Sequence, residues 1–369
     1  MPVQSVYNES VRAHNGHVTD DDAKRLIDAA KKDNKAGSSG WLCCSVEGSD
    51  GTEGLIDVYR SHEDQFEPEA KRRISDWLGK HRVEIAGGKV LCDEIARHRT
   101  WQCNWFPMGI RWNNPGANLY LPGGPCDKYD QATGSKCRAY ENEHHNTSNG
   151  GVTWAGHCDM AARICSLLKQ PIRDVTYNGV VFTQNDIQGL LVMVSNDLAD
   201  PEEKFIGFRN NGNAGDDPSE PYPHVLMPEL IKLAESREPY VADVDPGEAV
   251  WNYAYDKTKI TEFDRPQNGL ARMHPSHGGK IRYQTFDLSG TGYDAEIRHF
   301  NSWIEYGSDG KKLASGWYKT SADGKNNFDF VWQPKAKGNL SRKSTWPTTC
   351  TYNPQVNPQE VYEIYMRSI

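Results

Sequence analysis

The segment Trp154–Pro171, "WAGHCDMAARICSLLKQP", decides how the middle of this chain folds. A short turn of small and polar residues leads without proline into an apolar run in which Ala161, Ile164, Cys165 and Leu168 recur at helical spacing. That pattern predicts a helix with a buried stripe and with Cys158 at its mouth. The free N–H groups and dipole of a helix N-terminus lower a thiol's pKa, and Gly156 lets backbone approach closely, as an oxyanion site requires. The same position also suits a buried cysteine that acts as a small hydrophobe, and the segment taken alone is compatible with both readings.

A nucleophilic thiol needs a base, and twelve histidines compete for that role. His224 differs from the others because it opens an apolar segment after a glycine-rich polar loop and is followed by the β-prone run "YVADVDPG". Strand alternation in that run puts Val241, Asp243 and Asp245 on one face. An acid there is suited to orient the imidazole in a Cys-His-Asp arrangement, while a surface histidine and two solvated carboxylates satisfy the pattern equally. Asp186, three residues after Thr183 and just before an apolar run, reads as a capping-box acid and is not assigned to chemistry.

The 369 residues carry a net charge of −8 and are 37% hydrophobic, which gives no basic field for a phosphate backbone and makes nucleic acid an unexpected partner. The most apolar short run, "GLLVMV" at 189–194, falls far short of the roughly 18 residues that cross a bilayer, so no membrane span is expected. Nor does the N-terminus read as a secretory signal. Nine cysteines (43, 44, 92, 103, 126, 137, 158, 165 and 350) would give, in an oxidising compartment, up to four disulfide bonds and one thiol left over, for which Cys158 is the candidate. Cys126, Cys137, His144 and His145 form only a loose group without zinc-site spacing, and no metal is assigned to them.

"TDDDAKRLIDAAKKDNKAG" from Thr19 has a Thr N-cap, acids in the first turn, lysines in the last and a stop at Gly37, and predicts a helix. "EPEAKRRISDWLGKH" predicts a second, with Ala70, Ile74, Trp77 and Leu78 on one face. Residues 104–150 have loop composition and read as a long surface excursion. Beyond Gly278, "KIRYQTFDL", "AEIRHFNSWIEY", "ASGWYKT" and "NNFDFVWQP" are separated by glycine turns and read as an antiparallel meander. The expected division is a mixed α/β region over 1–103, a catalytic core over 104–275 and a β-rich region over 276–369.

Three pieces occur in one order: "WAGHCDMAARICSLLKQPIRDVTYNGVVFTQNDIQGLL", "HVLMPELIKLAESREPYVADVD" and "GEAVWN". Together they resemble the transglutaminase elicitor family of oomycetes and its bacterial relatives, over Trp154–Asp264. The resemblance implies an α+β fold with a transglutaminase-like, papain-like core, in which a cysteine-bearing helix packs on an antiparallel sheet. It implies Cys158 as nucleophile, His224 as base and Asp243 as orienting acid, with Asp245 as the alternative acid. The implied activity is protein-glutamine γ-glutamyl transfer between glutamine- and lysine-bearing proteins, with no cofactor and no calcium, in a secreted protein. The sequon Asn146-Thr147-Ser148 agrees with secretion. Trp154 and Trp251 are candidate walls of a dry substrate channel. A cysteine peptidase or glutamine deamidase would use the same acyl-enzyme, and a non-catalytic binding protein would keep the core as a scaffold. The family pattern changes at two places here: Cys158 is followed by "DMA", and Trp251-Asn252 by "YAY".

Overall fold

The computed structural model describes residues 3–35, 55, 58–59, 62–84, 88–109, 118–148, 154–201, 205–207, 221–244, 249–266, 270–292, 295–318 and 328–369. Two compact units divide the chain: Met1–Leu91 with Thr261–Phe263, and Cys92–Ile260 with Asp264–Ile369. Apart from Thr261–Phe263, the segments read as 104–275 and 276–369 fall in the second unit.

The first unit holds α1 (Val3–Ala13), α2 (Asp20–Lys35) and α3 (Pro68–Glu84). Thr19 and Asp22 cap α2 reciprocally, with Thr19 N 3.1 Å from Asp22 Oδ2 and Asp22 N 3.4 Å from Thr19 Oγ1, which satisfies two otherwise orphaned donors. Leu26, Ala30, Ala70 and Ile74 are fully buried, as their helical spacing requires. The expected stop at Gly37 and the side chain of Leu78 lie outside the described residues.

The division falls inside β1 (Lys89–Ile95). The second unit then runs α4 (Pro125–Thr133), α5 (Cys137–His144), α6 (Cys158–Leu167), β2 (Val175–Tyr177), β3 (Val180–Phe182), α7 (Gln184–Leu198), β4 (Phe205–Gly207), α8 (Pro223–Glu235), β5 (Tyr240–Asp243), β6 (Asn252–Phe263), β7 (Lys280–Thr291), β8 (Ala295–Tyr306), β9 (Lys312–Trp317), β10 (Phe330–Trp332) and α9 (Pro358–Met366). Strand order in the main sheet is β4-β10-β5-β6-β7-β8-β9. The registers β10 with β4 and β5, β5 with β6, and β7-β8-β9 are antiparallel. This is an α+β architecture with a cysteine-bearing helix beside an antiparallel sheet.

Three expectations change. β10 does not continue the C-terminal meander; it returns to lie between β4 and β5, because a three-residue strand with every residue buried needs partners on both edges. Residues 104–150 are not merely a surface loop, since α4 and α5 bury Cys126, Tyr129, Ala132, Cys137 and Glu141. Their inward face is made of small and polar groups tied by hydrogen bonds, such as Asn353 Nδ2 to Glu141 Oε1 at 2.8 Å, so no apolar period marks it. The region read as β-rich also holds a helix, α9, with Val361, Ile364 and Tyr365 in the core.

The anticipated capping box is present. Thr183 N donates to Asp186 Oδ2 at 2.7 Å and Asp186 N to Thr183 Oγ1 at 3.3 Å at the start of α7.

Candidate active site

Helix α6 begins at Cys158 and is buried on nearly every side from Met160 to Ser166. Both of its ends are pinned. At the C-terminus, Trp101 Nε1 donates to Leu168 O at 2.7 Å and His98 Nε2 lies 3.0 Å from Cys165 O, which satisfies carbonyls the helix leaves open. At the N-terminus, His157 N donates to Trp105 O at 2.7 Å. The His157 ring is buried, with Nδ1 2.6 Å from Phe106 O and Nε2 2.5 Å from Tyr352 Oη. A carbonyl only accepts, so Nδ1 carries the proton and Nε2 accepts from the tyrosine hydroxyl. Burial pushes the His157 pKa down and the Tyr352 pKa up, which keeps both neutral. Sequence reasoning gave His157 no role, because nothing in its neighbourhood predicted Tyr352 opposite.

Gly156 precedes this residue for a steric reason. A Cβ there would lie 2.3 Å from the Trp105 ring and 3.0 Å from Trp105 O. Gly156→Ala is expected to cost about 1–3 kcal/mol by overpacking, read as a lower urea midpoint together with a changed tryptophan emission from Trp105.

Cys158 is half-buried. Its Sγ donates to Val250 O at 3.5 Å and receives Asn252 Nδ2 at 3.5 Å. Asn252 stands directly opposite Asp243 across the β5–β6 pair, and Phe330 is opposite Asp243 on the other side. Directly opposed residues share a face of the sheet, so Asp243, Asn252 and Phe330 present to the same side. Asp243 is fully buried. Burial pushes the Cys158 thiol up to about 11, with the charges of Asp159 and Asp243 adding to it and the Asn252 hydrogen bonds opposing it.

Two cavities meet at the sulfur. One of about 420 Å³ is walled by Met108, Trp154, Phe205, Phe330 and Trp332, with Asp159 and Arg163 as its charged groups. The other, about 10 Å³, is lined by Cys103, Trp105, Ala161, Trp251 and Tyr253 among others and has the space of about one water. Trp154 and Trp251 therefore line different cavities, and Trp251 packs edge-on against Trp105 at 5.2 Å.

The structure sets Asp243 opposite Asn252, whose amide meets the Cys158 sulfur, and places His224 elsewhere. His224 opens α8 over the sheet's β9 end, with Nδ1 2.6 Å from Ser315 Oγ and its carbonyl accepting from Lys312 at 3.1 Å. Burial, and then the Lys312 charge, lower its pKa. No histidine is among the described residues lining either cavity. Asp245 lies outside the described residues. Asn252 and Trp332 were missed as site residues: the first stands in the quoted "VWN" peptide, and the second reads only as part of a strand.

The disulfide expectation is not met among the described residues: Cys92, Cys103, Cys126, Cys137, Cys158, Cys165 and Cys350 form no disulfide bond, while Cys43 and Cys44 lie outside the described residues. Cys126 and Cys137 instead pack on Met193, with sulfur–sulfur distances of 3.5 and 3.8 Å. Among the described residues no cluster of His, Cys, Asp and Glu has metal-site geometry, and no helix is long and apolar enough to cross a membrane.

The Cys158 thiol thus stands at a helix N-terminus, meets the Asn252 amide and opens into an aromatic-walled cavity. Residues 124–274 match the family model described as transglutaminase elicitor, which bears out the resemblance and extends it upstream to the start of α4. Among solved structures, the GP42 transglutaminase from Phytophthora sojae is similar in fold, at 16% identity, over 76% of this chain and 92% of that one, with a TM-score of 0.53. No curated protein matches.

Proposed function

We propose that this protein is a protein-glutamine γ-glutamyltransferase in which Cys158 is the nucleophile. The observation that carries the reading is the Cys158 thiol at the head of α6, opening into the 420 Å³ cavity with Asn252 and the Asp243 strand face beside it. The family-model match spans the same residues, 124–274.

In this mechanism the sulfur attacks a glutamine carboxamide, the carbon–nitrogen bond breaks, and the thiol's proton ends on the departing ammonia. We assign the relay of that proton to Asp243, whose charge acts on the thiol, and a lysine amine then resolves the thioester to an isopeptide bond. Nothing in this sequence of steps calls for a metal or cofactor. An extracellular site of action rests on the family resemblance alone.

The test is incorporation of a dansyl-labelled primary amine into a glutamine-bearing protein, with products read by mass spectrometry. A Gln–Lys crosslink or labelled glutamine supports transfer; a deamidated glutamine or a cut chain assigns the same thioester to water or to a peptide bond. The His224 base assignment has its own test. With its imidazole tied to Ser315, His224→Gln is expected to leave turnover within about twofold, whereas a base in contact with the thiol would cost about 10²-fold or more.

A further inference from the structure

We propose that Asn252 is the side-chain donor of an oxyanion hole at Cys158, held in register by Trp332. The assignment rests on the acyl-transfer reading above and names a residue for it. Asn252 is the first residue of β6 and is 6% exposed. Its amide has one accepting and one donating end, and the protein has fixed which points where. An indole N–H only donates, so the contact of Trp332 Nε1 with Asn252 at 3.0 Å sets Oδ1 toward β10. The NH₂ end is thereby turned to the sulfur, with Nδ2 3.5 Å from Sγ. Flipping the amide would oppose two donors. Trp332 is itself immobilised, 1% exposed, with the Arg163 guanidinium 4.8 Å over its ring and Phe205 stacked at 5.5 Å.

When the sulfur bonds to the carboxamide carbon, the carbonyl π pair moves onto oxygen and a tetrahedral oxyanion forms one bond away from that carbon. Groups around the sulfur are then within hydrogen-bond reach of it. Asn252 Nδ2 is one such group. The backbone N–H of Cys158, the first residue of α6, is the other, because the first four N–H groups of a helix have no intrahelical partner. Collapse returns the pair to the carbonyl and breaks the carbon–nitrogen bond, and nitrogen leaves as ammonia with the thiol's proton. Asn252 neither gains nor loses a proton at any stage. A donor preset in this way stabilises charge that develops only in the transition state.

The experiment is steady-state ammonia release from an N-blocked Gln-Gly peptide, run beside alkylation of Cys158 by iodoacetamide, a displacement that creates no oxyanion. Asn252→Ala is expected to lower kcat by about 10²–10³-fold with KM within about threefold, while alkylation slows by less than about tenfold. Asn252→Asp, which keeps the acceptor for Trp332 and the shape but removes the donor, is expected to lose at least as much kcat and serves where alanine fails to fold. An active wild type with Asn252→Ala unchanged overturns this assignment alone. So does a parallel fall in kcat and alkylation, which would make Asn252 a support for the thiolate. A wild type inert to glutaminyl peptides, though its Cys158 alkylates, overturns the acyl-transfer reading and this assignment with it.

Discussion

Cys158→Ala is expected to abolish ammonia release from glutaminyl peptides, a loss of more than about 10⁴-fold, because no other described cysteine lines the large cavity. The argument is geometric. The other described cysteines, at 92, 103, 126, 137, 165 and 350, are buried, and Cys158 alone among them is half-exposed. It is also the one described cysteine that lines the large cavity. The measurement is ammonia release in wild type and variant, with the alkylated cysteine mapped by mass spectrometry so that Cys43 and Cys44 are scored separately. Ammonia release that persists in Cys158→Ala ends the reading.

Asp243→Asn should split two rates that ordinarily move together. The Asp243 charge raises the thiol's pKa, so its removal lowers that pKa from about 11 and speeds alkylation by iodoacetamide at pH 8. In wild type, pH 8 lies three units below the thiol's pKa, so about one sulfur in a thousand is thiolate, and alkylation climbs about tenfold per pH unit until pH nears 11. The sign for turnover is opposite. Without a carboxylate to relay the proton to the leaving nitrogen, kcat falls by about 10²-fold or more. Faster alkylation with slower turnover supports the relay. Both rates rising together would show that Asp243 only burdens the thiol.

The thiol's protonated resting state bears on the motif that suggested it. A helix N-terminus favours thiolate, yet here burial and two acids prevail. Asp159, the residue after Cys158, is one of those acids, and it lines the large cavity with Arg163. The "DMA" that follows the cysteine therefore places a carboxylate in the wall of the cavity that opens at the sulfur.

Local chemistry made several elements legible. Thr19 with Asp22 and Thr183 with Asp186 are caps whose partners are three residues away, so sequence spacing alone specifies them. The helix from Cys158 follows from its apolar spacing. The same local rules could not read α4 and α5, whose buried sides are cysteine, tyrosine and glutamate satisfied by Asn353, Asn357 and Glu360 from more than 200 residues away.

His224 shows the limit most clearly. Its place at the head of a helix was visible, but the sheet neighbour of that helix was not. Strand order put β9 and Ser315 beneath it and put β5, with Asp243, at the other part of the sheet. The return of β10 between β4 and β5 is likewise what delivers Trp332 to Asn252, 80 positions apart along the chain. By itself the sequence determined the helix that begins at Cys158 and its buried stripe, since these depend on spacings within one element. Only the tertiary structure decided which groups stand around the sulfur, because strand order depends on edges pairing across long separations, and no period within a strand encodes its neighbour.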